Sequence, residues 1–153
     1  CWVYLVFFFF SFFTPLVTTT VSNVSMVTAS TAASGLTLAR MGLYTFDEVT
    51  ATLVAQTAND TTLFDATNSV YTRSFDTTGG YPASFTLQAG QRYALGIICV
   101  GTTMPSLYYQ LVTTGIVSAL PPRMTGSATP HTDLPTTKAT FANNAALMYG
   151  RFS

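Results

Sequence analysis

The chain opens with CWVYLVFFFFSFF, a run broken only by Ser11 and stopped by Thr14-Pro15, and no charged residue appears before Arg40. Six phenylalanines lie between Phe7 and Phe13, so a transmembrane or signal-peptide reading is tested first. Two readings are open: a buried strand, or a membrane or secretion segment. A spanning helix needs about 20 apolar residues, and the run ends well short of that. Flanking cations that would set an orientation are missing. A signal peptide calls for a Met start and a basic leader, whereas the chain begins at Cys1. Phe and Val dominate, with no Ala and a single Leu, and that mix favours a strand over a helix. A buried strand over residues 3–13 is therefore expected, with a hydrophobic targeting segment as the alternative.

The remaining sequence agrees with an all-β reading. Charged residues make up 8% of the 153 residues, against about 25% in an average soluble domain. Hydroxyls replace them: about a quarter of the chain is Thr or Ser, with Thr in the majority, and branched Thr suits a pleated surface. At this length one domain, residues 1–153, is expected. Six Lys and Arg balance six Asp and Glu, which supplies no basic field for phosphates and argues against a nucleic-acid partner. One His and two Cys, Cys1 and Cys99, are too few for a zinc cluster or a multi-bridge disulfide scaffold.

After Pro15, short apolar or alternating runs recur at sandwich or barrel spacing, and helical periodicity is absent. Val17, Thr19 and Val21 share one parity while Val24 and Met26 share the other, which predicts a bulge near Ser22-Asn23. Strands are expected at 36–46, 50–57 and 70–75, with 58–69 as a packed loop. Ser84 to Val100 reads as a hairpin around Ala89-Gly90 whose second strand is central; Phe85, Leu87, Tyr93, Leu95 and Ile97 are its expected core. Further strands are placed at 106–112, 116–120 and 145–152. Residues 121–137 carry four of the seven prolines and read as loop. The expected fold is an antiparallel two-sheet β-sandwich, jelly-roll-like, with about 8–10 strands.

Little in the sequence points to catalysis. His131 lies beside Thr132 and Asp133 in the proline-rich segment, without a nucleophile elbow anywhere, and reads as a solvated loop histidine. Asp47, Glu48, Asp60, Asp65, Asp76 and Asp133 look like turn residues rather than a glycosidase pair. Asn59, Asp60 and Asp65 match no calcium loop, and an Asx-turn is the simpler reading. Cys99 reads as a small core residue. No enzymatic activity, metal or cofactor is expected. Tyr81 on Gly-Gly-Tyr-Pro, and Tyr108 and Tyr109 after Pro-Ser, adjoin turns where rings stack on sugars or anchor a partner; the alternative is that they cap the core.

The strings ARMGLY (39–44), LVAQTANDTTLF (53–64) and YPASFTLQAGQRYALGIICV (81–100), with FFTPL (12–16) and TDLP (132–135), resemble a module near the carboxyl end of tail-fibre and minor tail proteins of tailed bacteriophages. The resemblance covers most of the chain in order. It implies the carboxyl-terminal fragment of a longer fibre protein: a receptor-binding tip on the virion, outside the cell, without enzymatic activity and usually homotrimeric. The implied partners are two further copies of the chain, an upstream fibre segment and a host cell-surface glycan or glycopolymer, with no membrane insertion. A surface poor in Lys and Glu suits faces buried against identical subunits. A carbohydrate-binding module of a secreted enzyme, which would be monomeric, and a structural virion spacer or decoration protein are the alternatives.

Overall fold

A computed structural model describes residues 5–112, 122–128 and 131–153. Among these described residues it is all-β, with thirteen strands and no helix. Six form one curled sheet shaped like half a barrel, in the order β10 (Thr125–Ser127), β1 (Leu5–Phe13), β8 (Tyr93–Thr103), β4 (Ser34–Phe46), β5 (Ala51–Gln56), β11 (Thr137–Lys138). Every neighbouring pair in it is antiparallel.

The phenylalanine run is the strand β1, and its register explains its composition. It pairs residue for residue with β8, from Leu5↔Gly101 to Phe13↔Tyr93. Phe8, Phe10 and Phe12 point into one apolar cluster, with Tyr44, Phe46, Leu53, Ile98, Leu134 and the half-buried Phe141. Phe7, Phe9 and Phe13 pack against the other cluster, on the opposite face. Ser11 shares that second parity, is buried, and turns its hydroxyl to the backbone of Met148: Oγ accepts from the N–H at 3.0 Å and donates to the C=O at 3.3 Å. Both faces of the main sheet are thus covered, which is why β8 reads as apolar at every position from Tyr93 to Cys99.

The layer on the Phe7 face is divided among three small sheets. β13 (Gly150–Phe152), β3 (Asn23–Val27) and β6 (Val70–Ser74) form one, β2 (Thr19–Val21) and β7 (Phe85–Leu87) a second, β12 (Ala146–Met148) and β9 (Tyr109–Leu111) a third. Strands are therefore more numerous and shorter than the 8–10 expected. The predicted bulge lies between β2 and β3: the N–H groups of Ser22 and Asn23 both donate to the Ser153 carbonyl at 2.8 Å. Two residues opposing one shifts parity, so Val21, Val24 and Met26 all reach the core. Val17 and Thr19 do not; both are exposed.

The stretch 84–100 is corrected. β7 pairs with β2 and β8 with β1 and β4, so its two arms lie in different sheets and form an arch, not a hairpin. A second arch, 14–18, joins β1 to β2 alongside it: Gly90 N–H donates to the Pro15 carbonyl at 3.0 Å and Ala89 N–H to Thr18 Oγ1 at 3.1 Å. Local alternation reports which face is buried but not which strand is the neighbour. Leu87, Tyr93, Leu95 and Ile97 are buried as expected, while Phe85 is half-buried. The 58–69 segment is the packed loop expected, closed over the core by fully buried Leu63 and Phe64. Segment 121–137 contains the short strand β10, with β11 beginning at its end. The strand placed at 116–120 and residues 3–4 of the first strand lie outside the described residues.

Candidate functional site

Tyr108, Tyr109 and Tyr149 converge on an open groove of about 470 Å³, whose walls are completed by Val27, Gln110, Leu147 and Met148. The backbone sets their positions. Ala29 N–H donates to the Ser106 carbonyl and Tyr108 N–H to the Val27 carbonyl, which pins the 105–108 turn along the end of β3 with Leu107 buried beneath. β9 then pairs with β12 through Met148↔Tyr109, and Tyr149 N–H donates to the Tyr108 carbonyl at 2.9 Å. All three rings remain about half exposed or more, at 48%, 53% and 64%. Tyr108 is braced by its hydroxyl, which donates to Asn68 Oδ1 at 3.1 Å. Asn68 takes the left-handed conformation at φ 49°, which Asn tolerates better than most residues. No Asp, Glu, Lys or Arg lines the groove. Its chemistry is ring faces, hydroxyls and one side-chain amide, suited to stacking and neutral hydrogen bonding.

Of the sequence-predicted tyrosines, Tyr108 and Tyr109 come together. Tyr81 does not join them; it is half-buried and packs against the cluster on the opposite face of the main sheet, beside Tyr44. Tyr149 and Asn68 were missed. Tyr149 precedes Gly150, an adjacency of ring and glycine like that of Tyr81 with Gly80, so a signal for it existed. Asn68 carried none, because its partner lies 40 residues away.

The acidic groups and His131 are occupied structurally. Asp133 pairs with Arg40 at 3.2 Å, and His131 sits edge-on to Phe8 with Nε2 3.2 Å from Lys138 Nζ. His131 is therefore half-buried rather than solvated, and burial together with the Lys138 charge holds its pKa below the ordinary histidine value. Asp47 accepts from the N–H groups of Thr50 and Val49, which lowers its pKa. Burial pushes the Asp60 carboxyl up, but hydrogen bonds from Thr62 and Arg73 outweigh it and hold the group below the usual range. Asp60 and Asp76 each close an Asx-turn, Asp65 accepts from the Tyr71 hydroxyl, and Asn59 bridges Ala39 N–H and the Thr37 carbonyl. Among the described residues no group of three or more His, Cys, Asp or Glu is placed to hold a metal ion. Burial pushes the Cys99 thiol up to about 12, which leaves it inert.

Compared with protein-family models, with curated proteins and with solved structures, the chain matches none.

Proposed function

We propose that this domain is the non-enzymatic attachment tip of a tailed-bacteriophage fibre or minor tail protein, which binds a host-surface glycan through the Tyr108–Tyr109–Tyr149 groove. The observation that carries the reading is the gathering of three exposed rings around one uncharged groove. Aromatic plates with nearby hydroxyls suit pyranose rings, whose C–H faces stack and whose edges hydrogen-bond. The finer fold reading is a jelly-roll sandwich. It is supported by the two stacked arches, which carry one antiparallel ribbon, β1–β8 continued as β2–β7, from the main sheet into the second layer.

The active form is a homotrimer joined to an upstream fibre segment. Exposed Leu16, Val17, Val49 and Val70, on a surface poor in charge, support burial against further copies. Each site is weak, because stacking and neutral hydrogen bonds contribute roughly 1 kcal/mol apiece, and three linked sites supply avidity. The test is a glycan array probed with the full chain at low and high salt, alongside its mass by light scattering. A trimer whose glycan binding barely changes with salt is expected. A clean monomer that still binds glycan would favour the carbohydrate-binding-module reading, and steep salt dependence would contradict the neutral groove.

A further inference from the structure

Behind the tyrosine groove lies a second cleft of about 370 Å³, and the two share Leu147, Met148 and Tyr149 as a common wall. This second cleft reaches between the layers: Val21, Leu87, Leu95 and Met148 in its lining are all less than a tenth exposed, with Phe13 and Phe152 partly buried beside them. Its volume is more than twice that of the roughly 150 Å³ apolar cavity that suffices to take benzene. No charged side chain lines either space. The buried hydroxyl in the cleft, Ser11, is already committed to Met148.

That commitment decides what the occupant is not. β12 pairs with β9 along one edge, and on the side facing β1 the N–H and C=O of Met148 are both taken by Ser11. A docking strand would therefore find no free peptide groups at Met148 to extend the ladder. Neutral, apolar walls likewise offer a charged peptide or fatty-acid carboxylate nothing to pair with. What fits is a chain that needs no hydrogen bonds and ends in a neutral, hydroxyl-rich head.

We propose that the cleft takes the alkyl chain of a neutral glycolipid, its sugar lying over Tyr149 and its neighbours in the adjoining groove. The sugar half rests on the function proposed above; the alkyl half stands on the cleft alone. Hexyl, heptyl and octyl β-glucosides, kept below micelle-forming concentrations, test it by calorimetry on the full chain, with methyl β-glucoside as the sugar-only probe. The dissociation constant is expected to fall about fourfold per added methylene, the increment for burying one CH₂. Thr19→Phe, at the exposed rim of the cleft, and Leu147→Trp, on the shared wall, should abolish that dependence and leave the protein folded. Equal affinity across the three homologues, or undiminished octyl glucoside binding in both variants, would overturn the proposal. So would adsorption to phosphatidylcholine vesicles without saturable octyl glucoside binding, since the occupant would then be a membrane surface. A chain-length effect that survives Tyr108→Ala and Tyr149→Ala unchanged would contradict the sugar platform and leave the alkyl site standing. Tyrosine-dependent glycan binding without a chain-length effect would do the reverse.

Discussion

At the scale of single residues, the buried hydroxyls of Ser11, Thr28, Thr57 and Thr125 each have a specific partner. Ser11 interrupts the phenylalanines because Met148, 137 residues away, needs a donor and an acceptor at that point. Ser11→Ala would leave a buried N–H and C=O without partners, so equilibrium denaturation should show a loss of about 1–3 kcal/mol. In the sequence Ser11 stands only as a break in the run, because nothing local names a partner at that separation. His131 illustrates a different effect. Its folded pKa is lowered, first by burial and then by Lys138, so the unfolded chain takes up a proton more readily than the native one. The stability it contributes is full above the unfolded value of about 6.5 and is lost as pH falls toward the folded pKa. Thermal unfolding between pH 5 and 7 should show stability rising with pH in the wild type, and a flatter profile in His131→Gln. Identical profiles would contradict the half-buried placement.

At the scale of elements, alternation and turn residues located most of the strands, because burial pattern is written locally. β4, β5 and β6 fall within two residues of their expected bounds, and the bulge before Asn23 follows from the parity change alone. Partner choice is not local. The Ala89-Gly90 turn has the same residues whether its arms pair with each other or cross between layers, and what distinguishes the arch is pairing with distant strands, β7 with β2 and β8 with β1 and β4. Gly90 is in the left-handed region at φ 78° with open space where a Cβ would go. Gly90→Ala should therefore cost about 1 kcal/mol through backbone strain alone, measurable by chemical denaturation. A neutral or stabilising outcome would show that the arch accommodates another conformation. The candidate site was legible in part for the same reason: Tyr108 and Tyr109 adjoin a turn in sequence, whereas Tyr149 reaches them only through the β9–β12 pairing.

At the scale of the whole molecule, burial of both faces of the main sheet places the proposed site on the outer layer. Phe10 and Phe12 pack edge-to-face on Phe141, and Tyr44 donates to the Pro135 carbonyl, so residues 134–141 help close the face that the small sheets leave open. The small sheets on the other face end in the β9–β12 pair, where the exposed rings stand on a backbone pinned to β3 and β1. A backbone pinned in this way limits the entropy lost on binding, which suits the weak, repeated site proposed above. The proposed function requires that those rings carry recognition. Affinity for the best array glycan should be measured for wild type and for Tyr108→Ala, Tyr109→Ala, Tyr149→Ala and Tyr81→Ala. About fivefold losses in each of the first three variants, with Tyr81→Ala unchanged, are the predicted result. Full affinity in all three groove variants would contradict it.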